Sequence, residues 1–227
     1  MKTIGTIGGI NIIENDDKSV TFTAGATLDG DGANGQFDEL PCYAPATYTG
    51  GTLDLLANAG HAGTSGRPNN WFGVVTNNGK VTGTPIVQSA TDPCPGAYVS
   101  ATSLHLFDTS GHRLPPSSPF RYVDSATVPF IAVPPMIIRG VAGIVLGCSC
   151  EVFNTKTGKK VVGVVADVGP SDHLGEISVA CAIAIGVPVG RTHPASSGGA
   201  SSPDIEYKLF PGIAAVVKGV TYPLQPS

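Results

Sequence analysis

Charge is scarce in this chain. Of its 227 residues only 13% are Asp, Glu, Lys or Arg, against about 25% in an ordinary soluble protein. Lys and Arg number 13, Asp and Glu 17, for a net charge of −4. No basic patch stands out, which argues against nucleic acid as a partner. A long apolar run is also missing. The most apolar region, 128–145, is broken by Pro129, Pro134, Pro135 and Arg139, so it cannot cross a bilayer as one uninterrupted helix. The opening residues, MKTIGTIGGINIIENDD, have neither an extended apolar segment nor a small-residue cleavage site, and do not read as a signal peptide. The expectation is a chain that stays in the cytoplasm, has lost a leader, or leaves the cell by a route that needs none.

Several catalytic signatures are absent as well. His61, His105, His112 and His193 are dispersed, and no HExxH, GxSxG or Walker-type phosphate loop occurs. Zinc hydrolase, serine hydrolase and nucleotide-binding readings thus lack their usual supports. The five cysteines are Cys42, Cys94, Cys148, Cys150 and Cys181. An odd count forbids complete intramolecular pairing, and no second pair sits at zinc spacing. Buried reduced thiols are expected, with a Cys42–Cys94 bridge as the alternative. Asp29 and Asp31, in Leu28-Asp29-Gly30-Asp31-Gly32, lack the further oxygen ligands and closing Glu of an EF-hand calcium loop. They are turn formers or acidic contacts for an amino sugar.

What the chain has in quantity is punctuation: 30 Gly and 19 Pro. Many turns and few helical stretches point to a mainly β fold, and the length suits a single domain over 1–227. Strands are expected at 20–23, 71–75, 128–134, 143–147, 151–153 and 160–166, with two more around Phe210-Pro211-Gly212. Asn77-Asn78-Gly79 and 154–158 read as hairpin turns. Residues 53–59 offer one short helical stretch. The segment 188–203, PVGRTHPASSGGASSP, reads as a flexible Ser/Gly/Pro-rich loop. The best helix is 176–185, with Ser171 or Asp172 as N-cap and Gly186 just past its end.

The most informative stretch is 161–187, VVGVVADVGPSDHLGEISVACAIAIGV. An apolar strand stops at Asp167, Gly169-Pro170 turns the chain, and Glu176 follows nine residues after Asp167. Two carboxylates on rigid elements either side of one turn are what acid–base hydrolysis of a glycosidic bond requires. Placed at a helix N-terminus, Glu176 would stay ionised and serve as base. At the end of an apolar strand Asp167 would be desolvated and serve as acid. The plainer alternative is a helix-stabilising Glu and a turn-forming Asp. His173 lies in the same loop, within reach of a substrate or simply exposed.

These residues resemble glycoside hydrolase family 75, the endo-chitosanases. The resemblance is carried by Asp167-Val168-Gly169-Pro170, Gly175-Glu176-Ile177-Ser178, Ala180 and Gly186. Weaker support comes from Asp29-Gly30-Asp31-Gly32, Tyr122-Val123-Asp124 with Val128-Pro129-Phe130, and Phe210-Pro211-Gly212. Ala166 stands where many members have Gly. The resemblance implies a six-stranded double-psi-type β-barrel with additional strands, long loops and one or two short helices. It implies Asp167 and Glu176 as the catalytic pair, with Asp29, Asp31, His173 and Ser178 as substrate contacts. The implied reaction is inverting hydrolysis of β-1,4 linkages in chitosan, with no metal or organic cofactor, by a monomer acting on a polysaccharide outside the cell. Two alternatives stand beside it. One is a peptidoglycan-cleaving glycosidase delivered by a phage or secretion apparatus. The other is a non-catalytic carbohydrate-binding module using Trp71, Phe72 and Tyr98 as stacking platforms.

Overall fold

The computed structural model of the chain describes residues 1–35, 71, 73–189 and 199–226. The helical stretch expected at 53–59, Phe72, Cys42, His61, His193 and most of the 188–203 loop lie outside the described residues. The chain divides into two compact units, one made of Met1–Asp29, Val128–Val189 and Gly198–Ser227, the other of Gly30–Thr127 with Gly190–Ser197.

The first unit is built on strands. In chain order these are β1 (Lys2–Ile7), β2 (Ile10–Glu14), β3 (Val20–Asp29), β4 (Phe130–Val133), β5 (Cys148–Asn154), β6 (Lys159–Val168), β7 (Glu176–Ser178), β8 (Ala200–Val217) and β9 (Val220–Tyr222). Two short helices, α1 (Pro135–Gly140) and α2 (Val179–Ile185), join them. The strand order is β1-β2-β3-β7-β4-β6-β5-β8-β9, and β3 also pairs with β8. That last pairing closes β3, β7, β4, β6, β5 and β8 into a six-stranded barrel, with β1, β2 and β9 added outside the ring. Closure removes the free edges that an open sheet would leave unpaired. The mainly β class with a closed six-stranded barrel, additional strands and two short helices is the one expected.

Sequence alternation explains the barrel wall. β5 is buried at every second residue, placing Cys148, Cys150, Val152 and Asn154 inward, as a period-two strand must when one face meets the core. β3 does the same through Val20, Phe22, Ala24, Ala26 and Leu28. Phe22 pairs with Tyr207 of β8, and their rings stack at 4.7 Å between centroids. Ile131, Val164, Val165, Ile177, Ile205 and Leu209 fill the remaining interior. Two pairings are parallel, β3 with β7 and β4 with β6, while the other ring contacts are antiparallel.

Several local expectations fail. Residues 176–178 are a strand, not the first turn of a helix, because they find partners on both sides in β3 and β4. The helix starts three residues later at Val179, and Ser178 caps it by accepting the Cys181 N–H. Gly186, in the left-handed conformation, ends it as expected. Residues 143–147 are not a strand: Gly143 and Gly147 both take positive φ, and the segment bridges only at Leu146 to Gln225. Phe210-Pro211-Gly212 does not separate two strands. It lies within β8, where the pairing with β5 jumps from Phe210 to Ala214, a bulge that absorbs the proline. Residues 71–75 contribute only an isolated bridge, Val74 to Ser100.

Among its described residues the second unit has little regular structure: a single 3₁₀ turn, Pro119–Arg121, and scattered bridges. Side chains replace the missing ladders. Asn34 donates to the Ser100 carbonyl at 2.8 Å and accepts the Ser100 N–H at 2.7 Å, mimicking a strand partner. Val75, Val99 and Tyr122 form a small core cluster. Cys94 is disulfide-bonded, so the all-reduced reading fails for it, and the other half of the bridge lies outside the described residues. Cys148, Cys150 and Cys181 are free and buried, as expected. Among the described residues no helix is long and apolar enough to cross a membrane.

Candidate functional site

Ala132, in the middle of β4, is the point from which the site is built. On one side it pairs with Glu176 of β7, on the other with Asp167 of β6. The two acids are therefore one strand apart, about 9.6 Å between Cα atoms at about 4.8 Å per strand spacing. The turn between them, 169–175, does not set this distance by itself. β4 does, by inserting between β6 and β7. A register shift between Ile131 and Ala132 in the β4–β6 pairing brings Asp167 level with Ala132.

Asp167 closes the strand that begins at Lys159 and is buried. Its carboxylate Oδ1 accepts the Val168 N–H at 2.8 Å. Glu176 opens β7 and is partly buried. Its carboxyl is pushed up to about 7, first by burial and then by the charge of Asp167. Burial disfavours the ionised form, and a nearby like charge disfavours it further. The helix N-terminus that would have kept Glu176 ionised is three residues away, and its capping hydroxyl belongs to Ser178. Burial and the neighbouring Asp167 thus favour the protonated form of Glu176, the opposite of the ionised state expected from a helix N-terminus.

Glycines make room for this arrangement. A Cβ at Gly169 would overlap Glu176 Oε2, so the Gly of the Asp-x-Gly-Pro turn is the floor on which the Glu176 carboxylate rests. Gly175, at φ 102°, passes hard against the Gly25 carbonyl, letting the chain enter β7 beside β3. Tyr207 ties the same place together from inside, its hydroxyl donating to the Gly25 carbonyl at 2.7 Å and lying 3.3 Å from that of Gly175.

Asp29, at the end of β3, has carboxylate oxygens within 4.8 Å of those of Asp167, a proximity no spacing argument foretold. Asp31 belongs to the second unit. It is buried, and its carboxylate lies so close to Gly73 that no side chain fits there. His173 is exposed and shares a hydrogen bond of 3.0 Å with Thr27 Oγ1. Ser178, expected as a substrate contact, has its hydroxyl committed to the backbone. It is fully buried, and its hydroxyl donates to the Val128 carbonyl at 2.8 Å while accepting the N–H groups of Phe130 at 2.9 Å and Cys181 at 3.0 Å. With its bonding capacity spent, it is a latch between β4 and α2. Trp71, offered as a stacking platform, is buried, its ring tilted against Tyr98 at 5.1 Å.

Sequence reading missed Thr27, which pairs with Glu176 in the β3–β7 register. A lone Thr in a β-branched run carries no signal, and only the strand order shows its neighbour. No family model matches the sequence, and no curated protein matches it closely.

Proposed function

We propose that this chain is an endo-acting glycoside hydrolase that cleaves β-1,4 linkages of chitosan with inversion. The observation that carries the reading is Ala132: one strand holds Asp167 and Glu176 on its two sides. Side chains from Cα atoms about 9.6 Å apart can present carboxyl groups at the roughly 6.5–9.5 Å that leaves room for a sugar linkage and a water between them.

In this reading the Glu176 carboxyl donates its proton to the glycosidic oxygen. The Asp167 carboxylate takes a proton from a water whose oxygen attacks C1 from the opposite face. The C1–O bond breaks with its electron pair going to the leaving oxygen. The products are a new 4-hydroxyl and a reducing end of inverted configuration. Glu176 is left ionised and Asp167 protonated, and solvent restores both. A carboxyl titrating at about 7 is poised for the donor's role near neutral pH. Asp29, with its oxygens close to Asp167, adds negative charge where the ammonium groups of a glucosamine polymer would be drawn. No cofactor takes part in this scheme. The substrate is an extracellular polymer, so the proposal includes action outside the cell.

The test is release of reducing ends from chitosan and from purified peptidoglycan by the wild-type protein, with Glu176→Gln as control. Proton NMR of the first-formed anomer adds the stereochemistry. Release from chitosan as the α-anomer, abolished in the variant, is expected. Release from peptidoglycan alone would transfer the activity to that polymer. No release from either would leave a binding module.

A further inference from the structure

Strand order places Glu176 between two different neighbours. Towards β4 and β6 stands Asp167, and towards β3 stands Thr27. On the Thr27 side the first unit has a cavity of about 220 Å³, lined by Gly8, Thr27, Asp172, His173, Leu174 and Ser201 among others. At about 30 Å³ per water this is room for roughly seven waters, the bulk of one sugar residue and not of a chain. His173 is held by Thr27, and the Asp172 carbonyl is packed against the β1–β2 turn at Gly8.

We infer that this cavity receives the leaving-group sugar of the glycosidic bond, with His173 and Asp172 as its specificity-determining contacts. The inference rests on the reaction proposed above and follows from the direction of an inverting displacement. Water activated by Asp167 attacks C1 from one face, and the departing oxygen leaves from the other, where the donor stands. The sugar attached to that oxygen continues past the donor, away from the base. In the strand order, away from Asp167 past Glu176 means towards Thr27 and His173. The imidazole offers a ring nitrogen to a hydroxyl of that sugar. The Asp172 carboxylate matches the ammonium of a deacetylated glucosamine, whereas an N-acetyl group there would bring no charge to it.

The experiment compares two substrates of the full-length protein. One is the fully deacetylated tetramer of glucosamine, which fills both sides of the cleavage point. The other is the deacetylated β-chitobiosyl fluoride, whose leaving group is too small to need the cavity. For His173→Ala and for Asp172→Asn, the ratio of kcat/KM on the tetramer to kcat/KM on the fluoride is expected to fall about tenfold or more. Thr27→Val, which frees the imidazole without removing it, is expected to lower the ratio less. An unchanged ratio, whether both substrates are hydrolysed normally or both decline together, would overturn the inference. Wild-type protein inert on both substrates would remove the underlying reaction and this inference with it, a result distinguishable from a changed or unchanged ratio.

Discussion

Gly169 and Glu176 occupy one another's space: the Glu176 carboxylate lies where the Cβ of any other residue at position 169 would be. The glycine in the turn after β6 is thus part of the site, not merely a bend. Gly169→Ala is expected to push the carboxylate off its position. A misplacement of about 1 Å in a reacting group costs on the order of 10²-fold in rate, and overpacking costs about 1–3 kcal/mol in stability. Chitosan hydrolysis and urea denaturation measured on the same sample separate the two effects. Full activity in the variant would mean that the Glu176 position is not critical.

Glu176 also makes stability depend on pH. Its carboxyl titrates at about 7 in the folded protein against 4.5 as the ordinary value, because burial and the Asp167 charge oppose ionisation. Between these pH values the folded state holds a proton that the unfolded state has lost, so stability falls as pH rises through the window. The span is worth roughly 3 kcal/mol. Glu176→Gln is expected to melt like the wild type near pH 4 and at a higher temperature than it near pH 8. Hydrolysis by the wild type is expected to decline above about pH 7, as Glu176, the proposed donor, loses its proton. Thermal melts at several pH values check the first statement and a pH–rate profile the second. Parallel melting curves for the two proteins at every pH would contradict the buried, raised carboxyl.

Ser178 is a structural residue. Ser178→Ala strands the N–H groups of Phe130 and Cys181 and the carbonyl of Val128. The loss of a helix cap and of buried hydrogen bonds is expected to cost about 2–4 kcal/mol. KM is expected to stay at the wild-type value at a temperature where the variant is folded. Denaturant midpoints and steady-state kinetics decide the matter. A raised KM with unchanged stability would return Ser178 to the substrate.

The thiols of Cys148, Cys150 and Cys181 are buried, and burial pushes both Cys150 and Cys181 up, away from the reactive thiolate. Mass mapping after alkylation is expected to find these three unmodified in native protein and modified after denaturation. Labelling of any of them in the native state would show that the barrel wall opens on the timescale of the reaction.

The sequence made some of this legible because local physics is written locally. The strands expected at 151–153 and 160–166, with a polar, Gly-containing turn between, identify a hairpin before any coordinates exist. Gly186 closes a helix because a left-handed residue is needed there. The turn at Gly169-Pro170 bends the chain between Asp167 and Glu176, but the pairing of both with Ala132 sets their separation. Over 176–178 the same local reading failed, while 179–185 is the helix expected. Small apolar residues behind an acid look like a helix start, yet β3 and β4 each offer Glu176-Ile177-Ser178 a hydrogen-bonding edge. Two ladders outweigh the weak helical preference of three residues.

By itself, then, the sequence determined the mainly β class, β4, the β5–β6 hairpin and the end of α2. Each follows from side-chain period or backbone sterics within a few residues. Only the tertiary structure decided that Ala132 stands between Asp167 and Glu176, that burial raises the Glu176 carboxyl, that Ser178 is spent on the backbone, and that Thr27 stands beside Glu176 with His173 bonded to it. Those are matters of burial and of charge between strands remote in the chain, and neither exists until the barrel closes.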